Sequence, residues 1–170
     1  MSKKKRVPVE ARSAARLAAV QALYDNQITG DSAETLIKHF VDQAIGGRAI
    51  VTDEDEQETE IELEPADPIL LAAIIRGAMA QAEQLDEMVA KALTGDWNVE
   101  RLESVLHAIL RAGAFELFSM KETPARVVIS EYVDVASAFY GGPEPGMVNA
   151  VLDRIARVVR SDELGADGRA

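Results

Sequence analysis

The chain has 170 residues, of which 48% are apolar and only 5% aromatic, a composition that indicates one mainly helical domain with a core of Leu, Ile, Val and Ala. It contains no cysteine, which excludes disulfides, thiolate zinc sites and a cysteine nucleophile, and no apolar segment typical of a signal peptide or membrane span, so we expect a soluble, cytoplasmic protein. The formal net charge is −11, yet nine of the 29 acidic residues lie between Thr52 and Asp67, and the other 20 nearly balance the 18 basic residues.

The first segment of this acidic chain is basic. Residues 1–16 contain six Lys and Arg residues against Glu10 alone. From about Val9 to Ile28, apolar residues recur at three- and four-residue steps, which predicts a helix buried on one side. Arg12 and Arg16 lie off the apolar stripe and one turn apart, so both guanidinium groups are predicted to project from the helix, where they could hold phosphates.

A second helix and a dense acidic tract follow. Gly30 suits the turn that ends the first helix, Asp31 suits the N-cap of the second, and Glu34 completes a capping-box pattern. The apolar pattern of the second helix stops at two consecutive glycines. The like charges of the tract repel one another and bury little, so we predict an acidic, mobile loop over residues 48–65.

Four further helices are predicted in the rest of the chain. One runs from about Pro68 to Leu93, and the segment 99–120 is apolar almost all round, as expected of a central helix packed on several sides. Thr123 is predicted as an N-cap and Pro124 as the first residue of the helix. The β-branched run after them is therefore interpreted as helix, although its propensity favours strand. The last helix is predicted at about residues 146–160.

The predicted fold is therefore all-α, with six to seven helices joined by connections that, apart from the acidic one, are short enough for antiparallel packing. The expected organisation is a flexible basic arm at residues 1–8, a single helical domain at residues 9–160 that includes the acidic loop, and a disordered tail at residues 161–170.

Catalytic and metal-binding patterns are scarce. The chain has two histidines, His39 and His107, and neither a glycine-rich phosphate loop nor a His-Glu-x-x-His pattern. Glu103 lies four residues before His107, which would place both on one helical face, but zinc needs a third ligand and none is apparent. We expect no metal, no cofactor and no enzymatic activity, and we interpret His107 as a helix histidine beside a surface glutamate.

The basic N-terminus has two interpretations that charge alone leaves open. Lys3, Lys4, Lys5 and Arg6 can form a solvated tail of a common kind. They can equally act together with the two helix arginines in contacting RNA or DNA phosphates.

Three stretches of the sequence, in the same order and at similar spacing, resemble the NusB family of bacterial transcription antitermination factors. These stretches are ARLAAVQALYDNQ, LESVLHAILRAGAFELF and PARVVISEYVDVASAFYGGPEPGMVNAVLD. The most specific parts are the Val-Gln-Ala-Leu-Tyr run of Val20 to Tyr24, the Ile-Leu-Arg triplet and the Glu-Leu pair within residues 109–117, and the Val-Asn-x-Val-Leu-Asp run of Val148 to Asp153. The resemblance covers most of the chain.

The resemblance implies both a fold and a function. It implies two three-helix subdomains and no catalytic activity. NusB-like proteins bind the boxA element of nascent ribosomal RNA as a heterodimer with the ribosomal protein NusE. That complex joins elongating RNA polymerase and other Nus factors and suppresses premature termination. Whether the free chain is a monomer or a homodimer is left open.

The resemblance also implies RNA-binding residues. Carried over by position, the arginine-rich first-helix signature of the family falls on Arg12 and Arg16. The predicted RNA contacts are these two arginines together with Lys3, Lys4, Lys5, Arg6, Met147 and Asn149.

Two departures from the family pattern bear on these contacts. Ser13 and Ala14 stand where relatives often carry further arginines. Met147 stands where a phenylalanine usually begins the motif before the last helix, and it offers a poorer surface for stacking on a base. Asn149 matches the family pattern, and its place suits either RNA contact or capping of the last helix.

Two alternatives accompany the RNA-binding interpretation. The first is a helical protein-interaction module without specific RNA recognition. The second is enzymatic, because NusB-like domains also occur fused to ribosomal RNA cytosine methyltransferases, but the chain has no room for a cofactor-binding sheet and no cysteine nucleophile. The acidic tract is either a solvated linker or a segment that repels non-specific RNA.

Overall fold

The computed structural model describes residues 11–44, 48–52, 58–62 and 66–164 of the chain. The α-helices of these residues are α1 Ala11–Thr29, α2 Ala33–Ala44, α3 Pro68–Ala80, α4 Ala82–Ala92, α5 Ser104–Ser119, α6 Ala125–Phe139, α7 Glu144–Val159 and α8 Ser161–Leu164. A short 3₁₀ helix, Val99–Arg101, precedes α5. The prediction of an all-α fold is confirmed. Within these ranges, no helix combines the length and the apolar character needed to cross a lipid bilayer.

Helix α5 is the centre of the fold, as its sequence pattern predicts. It contacts α1, α3, α4, α6 and α7, and nearly all of its residues from Ala108 to Leu117 are buried. Helices α1, α2 and α3 pack on one another, whereas α6 and α7 pack on each other and on α5. One continuous hydrophobic core joins the two groups, because side chains of α5 belong to both.

The helix predicted from Pro68 to Leu93 is interrupted in the structure. Gln81 leaves the helical conformation, with φ −108° and ψ 19°, and separates α3 from α4. Helix α3 packs on α1, α2 and α5, whereas α4 packs on α5 and α7. The interruption therefore lets the two segments bury their apolar residues against different helices.

The β-branched run near the start of α6 is helical, which confirms the prediction. Val128, Ile129, Tyr132 and Val135 follow a helical spacing and are buried. Burial of this face against the core outweighs the intrinsic strand preference of the run.

The junction between α1 and α2 is close to the prediction but differs at the cap. Gly30 ends α1 in the left-handed conformation, with φ 74°. The backbone N–H of Thr35 donates to Ser32 Oγ at 3.2 Å, so Ser32 rather than Asp31 caps α2. Glu34, the predicted capping-box residue, instead forms an ion pair with Arg76 of α3 at 2.7 Å.

A β-hairpin occupies part of the predicted acidic loop. Its strands are β1 Arg48–Thr52 and β2 Glu58–Glu62, which pair antiparallel with Arg48 opposite Glu62. The loop prediction is wrong for these strands, because the sequence Glu-Thr-Glu-Ile-Glu alternates with the period of a strand. The rest of that predicted loop, the predicted arm at residues 1–8 and residues 165–170 lie outside the described residues.

The predicted disordered tail begins with an ordered segment. Leu164 of α8 is only 5% exposed. Glu163 of the same helix accepts a hydrogen bond from the backbone N–H of Ala125 at 2.8 Å. The prediction is therefore wrong for residues 161–164, because one buried leucine and one bonded carboxylate hold them against the domain.

Candidate nucleic-acid interface

Arg12 lies at the surface where α1 meets the loop between α5 and α6. Its side chain is 46% exposed, and its Nη1 atom lies 3.9 Å from Asp67 Oδ2. Its Nη2 atom donates to Thr123 Oγ1 at 3.2 Å, so Thr123 serves as an anchor for Arg12 rather than as the predicted helix cap. A guanidinium carries five N–H donors, and this is the one hydrogen bond of Arg12 to the described residues. Donors therefore remain for a phosphate.

Arg16 is buried, which contradicts the prediction that both arginines project from the helix. Its side chain is 2% exposed. Its Nε and Nη2 atoms donate to Glu116 Oε2 and Oε1 at 2.8 and 3.1 Å, and its Nη1 atom lies 3.7 Å from Glu131 Oε2. The guanidinium is therefore directed to carboxylates of α5 and α6, and it cannot reach a phosphate in this conformation. The apolar periodicity of α1 could not predict this burial, because the carboxylate that pairs with Arg16 lies on another helix.

The buried pair extends into a network that joins α1, α5 and α6. Tyr132 Oη donates to Glu116 Oε2 at 2.5 Å, and Ser13 Oγ donates to both carboxylate oxygens of Glu131 at 3.0 and 2.8 Å. Burial and the charge of Glu116 raise the pKa of Tyr132 well above its ordinary value, so the phenol stays protonated. Burial alone lowers the pKa of Arg16, but the hydrogen bonds and charge of Glu116 outweigh it and raise that pKa.

Met147 lies in the core. Its side chain is 7% exposed and belongs to the same inward face of α7 as Val148 and Val151. In this conformation Met147 offers almost no exposed surface to a base, so the predicted contact stays a prediction that would require α7 to open. The spacing of apolar residues in α7 already indicates that Met147 faces the core.

Asn149 is exposed and lies on the sixth residue of α7. The capping interpretation is wrong, because the helix begins five residues earlier, at Glu144. Asn149 lines an open groove of about 460 Å³ between α6 and α7, called here the α6–α7 groove. The groove is lined by Arg126, Ile129, Ser130, Val133, Asn149, Asp153, Arg157 and Leu164.

Two cations that the sequence analysis missed flank Thr123, the hydrogen-bond partner of Arg12, in the chain. Lys121 precedes Thr123 by two residues, and Arg126 follows it by three; both cations are exposed. Arg126 also lines the α6–α7 groove. We use the name basic edge for the groove residues Arg126, Asn149 and Arg157 together with Arg12 and with Lys121 of the α5–α6 loop; within the groove, Arg157 forms an ion pair with Asp153 at 2.8 Å. In the sequence these cations do not form a cluster. The one feature that could have indicated them is that Lys121 and Arg126 flank the predicted start of α6.

The loop that supports Arg12 is held from inside by Arg160. This arginine is fully buried at the end of α7 and forms an ion pair with Glu163 of α8. Its guanidinium donates, at 2.6 to 3.2 Å, to the carbonyl oxygens of Glu116, Leu117, Met120 and Thr123. The last carbonyls of a helix have no partner within that helix, so Arg160 satisfies the end of α5 and fixes the loop that carries the basic edge.

His107 has a different partner from the one predicted. Its Nε2 atom lies 2.7 Å from Asp86 Oδ1, and Arg111 donates to both oxygens of Asp86 at 2.7 Å. Glu103 accepts from Tyr140 Oη at 2.5 Å instead. Partial burial acts to raise the pKa of Asp86, but the hydrogen bonds from Arg111 and His107 outweigh it and lower that pKa. Among the described residues, no three His, Asp or Glu side chains are grouped to hold a metal ion.

The sequence profile described as the NusB family matches residues 13–157. The transcription antitermination protein NusB of Rhodospirillum rubrum is 48% identical over 160 residues, which cover 90% of this chain and 86% of that protein.

Two solved structures share the fold. Thermotoga maritima NusB aligns with a TM-score of 0.67 and 23% identity over 90% of this chain and 93% of its own. A chain from a crystal structure of the antitermination factors NusB and NusE in complex with double-stranded RNA aligns with a TM-score of 0.67 and 22% identity, over 87% of this chain and 97% of its own.

The helical architecture and these similarities define an all-α transcription factor of the antitermination class, without catalytic activity. The chain belongs to the NusB family.

Proposed function

We propose that the chain is an RNA-binding antitermination factor that recognises a boxA-type element of nascent ribosomal RNA together with the ribosomal protein NusE. In this role it joins RNA polymerase and other Nus factors and helps the polymerase read through terminators. The observation that carries the proposal is membership in a family whose relatives are transcription antitermination proteins. The fold shared with a chain of the solved complex of NusB, NusE and double-stranded RNA supports it.

The basic edge is the proposed RNA-contact surface. Arg12, at the start of α1, has N–H donors that bond to no other described residue, and the sequence of the basic arm, Lys3 to Arg6, precedes this helix. A guanidinium can contact two phosphate oxygens at once, and the amide of Asn149 can both donate to and accept from a base edge. The arm is proposed to add phosphate contacts to those of the basic edge.

Arg16 is proposed as a positioning residue rather than a contact. Its bond to Glu116 ties α1 to α5, and Arg160 ties the end of α5 to the loop that carries Thr123. Arg12 is thereby held between two fixed elements. Met147 likewise contributes through packing of α7 and not through stacking.

The protein-interaction module is the second candidate function. The burial of Arg16 and Met147 favours it, because burial removes two of the four predicted RNA contacts that lie within the described residues. In this candidate the helical surface binds a ribosomal or polymerase component, and contact with RNA is incidental.

Fluorescence anisotropy with a short boxA-type RNA and a scrambled RNA of equal length tests the proposal. Binding is measured across a salt series, with and without NusE. We expect preferential binding to the boxA-type RNA that tightens with NusE. For a single strand, the logarithm of affinity falls with the logarithm of salt by about 0.7 per neutralised phosphate, so Arg12→Ala should lower the slope by less than one unit.

Arg76→Ala is the matched control, because Arg76 is an exposed arginine of α3 whose partner Glu34 lies outside the basic edge. We expect this variant to keep the slope of the unmodified protein. Equal, weak binding of both RNAs with or without NusE would reject RNA recognition and leave the interaction module. Sedimentation of the free protein tests separately whether it forms a homodimer.

A further inference from the structure

A second groove lies between α4 and α7, closed on one side by the last turn of α5. It encloses about 410 Å³. Its lining residues are Met88, Lys91, Ala92, Phe118, Arg154, Ile155, Val158 and Val159, and we name it the α4–α7 groove. Six of these eight side chains are apolar. Buried Ala92 and Ile155 form its floor, and Val158 is 78% exposed beside it.

This groove is separate from the basic edge. On α7 the α6–α7 groove uses residues 149, 153 and 157, whereas the α4–α7 groove uses 154, 155, 158 and 159. At 3.6 residues per turn the two sets lie on opposite sides of the helix. A partner seated in the α4–α7 groove would therefore leave the basic edge open.

The charges of this groove have one sign. Lys91 and Arg154 line it, and its lining contains no carboxylate, although the chain carries a net charge of −11. Arg154 Nη1 donates to the carbonyl oxygen of Ala92 at 2.7 Å, which keeps its guanidinium at the C-terminal end of α4. Lys91 is exposed. An apolar floor with only cations beside it is complementary to an apolar surface that carries Asp or Glu.

The shape of the groove fits a helix more closely than a nucleic acid. Two helices form its walls, and Met88 and Phe118, both half-buried, are side chains that adapt to a packed partner. A bound single strand would need aromatic faces for its bases and a line of cations for its phosphates, whereas six of the eight side chains here are apolar.

We propose that the α4–α7 groove binds an acidic amphipathic helix of a partner protein. The apolar face of that helix covers Val158 and the floor of the groove, and its acidic residues pair with Lys91 and Arg154. The proposal does not depend on RNA binding, because it uses a different side of α7.

Isotope-edited NMR of the full chain tests this proposal with designed peptide helices. One peptide carries leucines at helical spacing with glutamates elsewhere, and the second carries lysines in place of the glutamates. We expect the acidic peptide to shift the resonances of Met88, Phe118 and Val158 and to bind at least about tenfold more tightly than the basic one. Val158→Glu should weaken binding of the acidic peptide by about tenfold or more.

Ile69→Glu is the matched control, because Ile69 of α3 is also a highly exposed apolar side chain and lies outside the groove. It should leave binding of the acidic peptide unchanged. The proposal is overturned if neither peptide binds, if Val158→Glu has no effect, or if the two peptides bind equally. Shifts of the groove resonances by single-stranded RNA or by self-association, in place of the acidic peptide, would overturn it in favour of those occupants.

Discussion

Two arginines one turn apart on α1 have different environments. At the surface, Arg12 meets the hydroxyl of Thr123 and, at 3.9 Å, the half-buried carboxylate of Asp67, whereas Arg16 meets the buried carboxylate of Glu116. A buried guanidinium is tolerated only where its charge is balanced and its donors are bonded, and Glu116 provides both. The same residue type is therefore a candidate RNA contact at one position and a tie between helices at the next turn.

Replacing Arg16 by Met tests this structural role. The change leaves Glu116 buried without its cation, so we expect a loss of about 3–5 kcal/mol in the free energy of unfolding, measured by urea denaturation. The double variant Arg16→Met with Glu116→Leu removes the orphaned charge and should recover part of that loss. Where folded Arg16→Met protein is available, its RNA salt slope should equal that of the unmodified chain; a reduced slope would show that Arg16 contacts phosphate.

The lowered pKa of Asp86 leads us to expect that the stability of the fold depends on pH. Its pKa is lowered in the folded state by Arg111 and His107, which outweigh the effect of burial. A carboxylate with a lowered folded pKa stabilises the fold above its unfolded pKa, and this contribution is lost as pH falls through the folded pKa. Asp86→Asn should therefore be less stable than the unmodified chain at neutral pH, with a difference that shrinks below about pH 4.

The measurement for Asp86 is the free energy of unfolding across that pH range. Asp134→Asn is the control, because Asp134 is exposed on α6 and has no ion pair within the described residues. It should show little difference at any pH. A constant difference for Asp86→Asn down to pH 2 would contradict the assignment.

At the scale of elements, a glycine sets how closely α3 approaches α5. A Cβ atom added at Gly77 would lie 2.0 Å from Phe115 Cε2, and the Phe115 ring is itself buried. Glycine in a helix usually costs about 1 kcal/mol relative to alanine. Close packing of the aromatic ring against the backbone of α3 therefore outweighs helix propensity at this position.

Gly77→Ala should lower stability, against the trend for exposed helical glycines. The ring of Phe115 must move within a packed core, so we expect a loss of about 1–3 kcal/mol by thermal or urea unfolding. Gly146→Ala in α7 is the matched control, because a Cβ atom there meets no atom within 4 Å. That change should be neutral or stabilising. Equal effects of the two changes would contradict the close approach of α3 and α5.

For the whole molecule, the distribution of charge matters more than its sum. The net charge of −11 repels RNA at long range, but salt screens charges beyond about 8 Å at physiological ionic strength. In the proposed RNA-binding role, a phosphate bonded to Arg12 would lie well within that distance of its guanidinium. An acidic protein can therefore bind RNA locally while it repels RNA that does not fit the site.

We expect the acidic tract to affect how well the protein discriminates against unrelated RNA. Deleting Thr52 to Glu64 should increase the affinity for unrelated RNA, measured by anisotropy with a scrambled sequence at low salt, because negative charge is removed from the chain. A second variant keeps the length of the tract and replaces its acids by Asn and Gln. If charge is the cause, both variants bind more tightly; unchanged binding in both would reject the idea.

The candidate site was only partly predictable from the sequence. The α1 pattern located Arg12, and the resemblance located Asn149. Arg126 carried no signal of its own, because it is brought to the edge by the contact between Arg12 and Thr123, 111 residues apart in the chain. Pairings of this kind depend on how helices pack and leave no trace in local spacing.

The sequence by itself determined the helical class, the central position of α5 and the helical state of the β-branched run in α6, because apolar periodicity and proline signals act within a few residues. Only the tertiary structure decided that Arg16 and Met147 are buried, that Gln81 divides one predicted helix into two and that Arg160 holds the end of α5. These outcomes depend on residues that are distant in the chain. Whether a charge is buried, or a helix is interrupted, is decided by the free energy of its contacts with those residues, which local sequence does not contain.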